Sequence, residues 1–128
     1  MRDSTGTVPP SLRVWFVIHF VADMLFALPL FFAPRLFLQM FGWTEVDPVT
    51  ARLVAAALFG IGIQSLLARG ETVDAFRAML GLKIIWSMTA VAGLVWSALA
   101  GGPMMVWLFA GVFAAFSGVW LYYRILLS

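Results

Sequence analysis

The chain has 128 residues, 63% of them hydrophobic and 11% charged, with eight basic side chains, six acidic ones and a formal net charge of +2; its mean hydropathy is +1.01. A soluble domain uses roughly 45–50% apolar and about 25% charged residues, and so sparse a polar coat cannot also cover twelve Phe, six Trp and seven Met. A soluble globular domain is thereby excluded, as are a disordered chain, which requires low hydrophobicity, and a disulfide framework, since there is no cysteine.

With lipid as the solvent, a spanning helix needs roughly 20 apolar residues to cross ~30 Å of hydrocarbon at ~1.5 Å per residue. The composition therefore predicts an all-α membrane protein, a four-transmembrane-helix antiparallel bundle forming one domain over 1–128, with a polar tail at 1–12. The first span, about 14–33, opens after Pro9-Pro10-Ser11, closes at Pro34-Arg35, and carries His19, Asp23 and Pro29. Its length, its polar residues and the lack of an Ala-x-Ala-like site set it apart from a cleaved signal, so it is expected to be retained. In the loop that follows, Leu36, Phe37, Met40 and Phe41 oppose Arg35 and Gln39, the pattern of a short interfacial helix. Trp43 beyond it suits an aromatic belt, as do Tyr122 and Tyr123 at the other face.

The second span, about 50–69, is expected to begin near Asp47-Pro48, a capping residue followed by a proline suited to the first helical turn. The third, about 78–100, follows a candidate N-cap at Thr72 and an acidic Asp74. Only Gly101-Gly102-Pro103 separates it from the fourth, about 104–124, a stop and restart that forces a helical hairpin. Arg2, Arg13, Arg69, Arg77, Lys83 and Arg124 fall on the side of the termini and Arg35 and Arg52 on the other, so the excess of positive charge predicts both termini in the cytoplasm.

Helices associate in lipid through small residues and polar contacts. The expected packing positions are Ala57 and Gly60 in the second span, on one face with Gln64 and Ala68, and Ala110, Gly111, Ala114 and Gly118 in the fourth. The third span offers Lys83, Ser87, Ala90 and Ser97 at similar spacing. Such stripes serve either as internal seams or as contact faces for a second chain.

Counted inward from the span ends, His19, Gln64, Lys83 and Ser117 lie roughly 6–9 Å deep and Asp23 about 13–14 Å, at ~1.5 Å per residue. A charged Asp near mid-membrane costs at least ~2.5–3.5 kcal/mol, so Asp23 needs a partner, hydration or a proton. Two readings follow: a buried Asp23–Lys83 pair that fixes the register of the first and third helices, with His19 and Gln64 as satisfied hydrogen-bond partners and Lys83 partly snorkelling to the head groups, or a polar cluster that binds a ligand head group or relays protons. One histidine without cysteine gives no metal set, and His19 as an axial ligand to haem or a pigment would need further ligands.

No Cys nucleophile, His-Glu-x-x-His or Gly-x-Ser-x-Gly motif is present, so no enzyme is predicted. Glu45, Asp47, Glu71 and Asp74 fall in loops or helix starts. The run from Arg52 through Leu-Val-Ala-Ala-Ala-Leu-Phe-Gly-Ile-Gly-Ile-Gln-Ser-Leu-Leu-Ala to Arg69, with Phe76-Arg-Ala-Met-Leu and the Phe32-Ala-Pro-Arg35 exit, resembles small four-helix bacterial inner-membrane proteins of the DoxX-like type. The resemblance implies a bacterial four-helix fold with a loose link to quinone or respiratory contexts, and carries over no catalytic residue. The expected function is that of a non-enzymatic inner-membrane accessory subunit, partnered by lipid and by other membrane subunits or a second copy, with no nucleic acid and no required cofactor. The alternative is a small binder of a lipid, quinone or pigment.

Overall fold

A computed structural model describes residues 7–128, and among these the chain is all-helical. Helix α1 spans Pro10–Phe32, α2 Pro34–Met40, α3 Pro48–Leu67 with a single 3-10 turn at Ala68–Gly70, α4 Val73–Leu99 and α5 Val106–Leu126. Four of them are long and apolar enough to cross a membrane, with mean hydropathy between 1.6 and 2.0 over their most apolar stretches. Arg2 and the first residues of the polar tail lie outside the described residues.

Punctuation in the sequence fixes the helix ends. Asp47 caps α3: its carboxylate accepts the Val49 N–H at 3.0 Å and the Thr50 hydroxyl at 2.6 Å, with Pro48 in the first helical position. These bonds hold the Asp47 carboxyl below its ordinary 3.8, the Thr50 hydroxyl contributing most. Thr72 occupies the cap position of α4 but bonds nothing there with its side chain, and Asp74 pairs instead with Arg77 one turn on. Gly101 ends α4 with φ +97°, and the Gly102 N–H returns to the Ser97 carbonyl at 2.9 Å, the left-handed closure that glycine permits. Both α1 and α4 begin about four or five residues earlier than their apolar runs suggest, because Pro10 and Val73 start the hydrogen-bond ladder before the hydrophobic stretch does.

Backbone contacts divide the chain into two compact units, Pro9–Gly70 and Glu71–Ser128, to which Val8 also belongs. In the first, α1 packs along α3. Arginines tie both ends of that pair: Arg13 donates to the Arg69 carbonyl at 2.6 Å and Arg52 to the Phe31 carbonyl at 3.0 Å. Each guanidinium starts one helix and bonds a carbonyl at the end of the other, where the last turn leaves acceptors unused and the helix dipole favours a cation. In the second unit α4 packs along α5, and Arg77 repeats the device, donating to the Leu127 carbonyl at 3.1 Å. The α2 connection folds back on α1 through edge-to-face rings, Phe37 lying 5.9 Å from Phe26.

Candidate functional site

Six polar or charged side chains are buried among the described residues, all of them within the spanning helices, three belonging to each unit. In the first, His19 and Asp23 face inward from α1, 4% and 6% exposed. One turn apart on a helix, they meet at 3.3 Å between Nε2 and Oδ1. The α3 backbone passes Asp23 at Gly62, where a Cβ would stand 2.8 Å from the Asp23 Cβ and 3.2 Å from its Oδ2. Any side chain at that position would drive α3 off the carboxylate. One turn further, Ser65 is fully buried and donates its hydroxyl to the Ile61 carbonyl at 2.6 Å, a bond back to its own helix.

Gln64, expected in the polar cluster, is exposed. The inward face of α3 is Ala51, Ala55, Leu58, Gly62 and Ser65, rotated by about one residue, or 100°, from the Ala57-Gly60-Gln64-Ala68 stripe. Gly60 is exposed with open space where a Cβ would stand, and Ala57 is half-buried. Sequence reasoning therefore missed Gly62 and Ser65. Their spacing with Ala51, Ala55 and Leu58 was the available signal, but the hydropathy of α3 is almost the same on every face, so periodicity could not select it.

The second unit holds Lys83, Ser87 and Ser117, all buried. Lys83 is 0% exposed and its Nζ lies 4.7 Å from the Trp120 ring centroid, within cation–π range. The partial snorkelling included in one of the two readings is not seen, since the side chain is buried. Because α4 starts at Val73, Lys83 lies ten residues into the helix, about 15 Å along its axis, with its chain directed inward. Ser87 donates to the Ile84 carbonyl at 3.3 Å. Trp86, half-buried, packs edge-to-face on Phe113 at 6.0 Å, and its indole N–H is buried with no acceptor among the described residues.

The inward face of α5 is Val106, Ala110, Ser117, Trp120 and Tyr123. Of the expected packing stripe only Ala110 belongs to it; Gly111, Ala114 and Gly118 are exposed, and nothing stands within 4 Å of a Cβ built on either glycine. Tyr122 points outward while the adjacent Tyr123 is buried, since neighbours on a helix are about 100° apart. In α4 the Lys83-Ser87 face is buried, Ala90 is half-buried and Ser97 is exposed, bonded to the Gly93 carbonyl.

No group of three or more His, Cys, Asp or Glu able to hold a metal occurs among the described residues. The chemistry within reach is that of buried ionisable groups on spanning helices: a His–Asp couple that can share or pass one proton, and a cation seated on an aromatic face. Comparison with protein-family models, with curated proteins and with solved structures finds no match to this chain.

Proposed function

We propose that this multi-pass protein is a non-enzymatic accessory subunit of a bacterial inner membrane, packing the outward small-residue ridge of α5 against another membrane protein or a second copy of itself. The ridge is what supports the reading: Gly111, Ala114 and Gly118 are exposed, with open space over both glycines. Small residues on a lipid-facing ridge let a second backbone approach closely, the main source of helix association in lipid. The resemblance to DoxX-like proteins supports the bacterial placement. Both termini are assigned to the cytoplasm and α2 to the opposite interface; with Lys83 buried, the charge count on the cytoplasmic side becomes five, that is six less Lys83, against two.

Purification in mild detergent tests it. The protein is expected to leave the membrane as a complex or oligomer, and Gly118→Leu to release it as a folded single chain, since a Cβ at that position has open space around it. A wild-type protein that runs as a single chain, indifferent to Gly118→Leu, overturns the subunit reading.

A second reading, binding of a lipid- or quinone-type ligand, is favoured by the buried His19–Asp23 couple and by the Trp86 indole N–H without an acceptor. It requires a ligand in the mass spectrum of purified protein that Asp23→Asn or Trp86→Phe removes while folded yield is kept. Lost yield in Asp23→Asn would mark the carboxylate as structural.

A further inference from the structure

At the end of the first unit where α1 stops and α3 starts, a cavity of about 310 Å³ is lined by Ala33, Pro34, Arg35, Leu36, Pro48 and Arg52. Four of its six walls are apolar and the other two are guanidinium-bearing. Arg52 gives its Nε to the Phe31 carbonyl, which anchors the side chain on the cavity and leaves its terminal nitrogens for another acceptor. Arg35 is exposed and makes no hydrogen bond or ion pair among the described residues. Neither guanidinium is paired with a carboxylate there, and Asp47, the acid adjoining the cavity wall at Pro48, already has both oxygens occupied by Val49 and Thr50. Two like charges are thus held on one pocket with no carboxylate in its lining and none bonded to either guanidinium among the described residues, an arrangement that favours an anion.

We propose that this cavity binds the phosphodiester of an anionic phospholipid. A guanidinium presents paired N–H groups that match two phosphate oxygens at once, and Arg52, held by the Phe31 carbonyl, is pre-oriented for such contact. The depth fits as well: the cavity lies where two spanning helices end, the level at which phosphates line a bilayer. Ala33, Pro34, Leu36 and Pro48 supply the apolar wall against which a glycerol backbone and the first acyl carbons rest. No acidic or aromatic side chain lines the cavity to receive a choline, so a lipid with net negative charge is selected over a zwitterionic one.

Full-length protein in dodecylmaltoside is titrated with dioleoylphosphatidylglycerol, with dioleoylphosphatidylcholine and with inorganic phosphate, while native mass spectrometry counts retained lipid and thermal unfolding reads stabilisation. One phosphatidylglycerol per chain should be retained and should raise the unfolding midpoint, with phosphatidylcholine at least tenfold weaker. Arg35→Gln, which breaks no hydrogen bond or ion pair among the described residues, should leave lipid-free stability unchanged and weaken phosphatidylglycerol binding about tenfold, the loss of one charged hydrogen-bonding group. Arg52→Lys keeps the charge and should weaken binding less than Arg52→Gln. Equal binding of phosphatidylglycerol by wild type and Arg35→Gln overturns the site, as does equal retention of phosphatidylcholine. Stabilisation by inorganic phosphate equal to that by the lipid overturns the lipid as the ligand and leaves a free-anion site.

Discussion

At Gly62 a single methyl group decides how closely two helices approach. A Cβ there would meet the Cβ of Asp23, an atom fixed to its own backbone, at 2.8 Å, so relief requires the helices to separate. Gly62→Ala is expected to destabilise the protein by about 1–3 kcal/mol, the usual cost of overpacking a fitted contact. Gly60→Ala, two residues away in open space, should be neutral or stabilising by up to about 1 kcal/mol through helix propensity. Unfolding titrations of the two variants in mixed micelles check the pair, and equal effects would mean that α3 does not face α1 through Gly62. Asp47 gives a pH dependence. Its folded-state pKa is lowered, chiefly by the Thr50 hydroxyl and then by the Val49 N–H, so its capping contribution is fully present above the ordinary 3.8 and disappears as pH falls through the lowered value. The protection of the Val49 amide, taken as the ratio of intrinsic to observed exchange rate at each pH, should therefore hold above the ordinary 3.8 and fall only in stronger acid, whereas Asp47→Ala should lack that protection throughout.

Arginines close the helix ends in this chain. Arg13, Arg52 and Arg77 each stand in the first two turns of a helix and donate to a carbonyl at the far end of its antiparallel neighbour. Arg77→Met, which removes a part-buried bond, should lower stability by about 1 kcal/mol, and Arg13→Met, at an exposed site, by less; thermal midpoints in detergent separate the two. Helix number, order and most termini were legible from the sequence because capping residues, prolines and the Gly101-Gly102-Pro103 stop act locally. The inward faces of α3 and α5 were not. In water polar residues mark the outside of a helix, but in lipid both sides are apolar, and the face is set by which small residue meets which neighbour. Of the polar cluster, His19, Asp23, Lys83 and Ser117 are buried as their unusual positions suggested, while Gln64 was misplaced by the same one-residue rotation. The arginines read as topology signals proved also to be capping groups, a role that charge counting does not see.

Across the whole molecule, apolar surface is distributed unevenly. Buried residues of α4 stop at Ser87, and its remaining turns carry exposed Met88, Trp96 and Leu99. Lipid or protein must cover that length. The orientation assigned from charge is open to a direct test because the chain contains no cysteine: Ser128→Cys and Gln39→Cys each introduce a lone thiol. A membrane-impermeant maleimide added to intact cells should label Gln39→Cys and spare Ser128→Cys until the cells are opened; the reverse pattern would invert the assignment.

The three arginine clamps have a consequence for ionic strength. Their acceptors are neutral carbonyls at helix ends, whereas the Asp74–Arg77 pair joins two full charges with Asp74 largely exposed. Screening at ~8 Å, as at physiological salt, weakens attraction between solvent-exposed charges far more than a short hydrogen bond to a carbonyl. The two helix pairs should therefore hold their stability from low to molar salt, and Asp74→Asn should remove what little salt dependence the unfolding midpoint retains. A protein fastened in this way keeps its helix ends joined at low and at high salt alike.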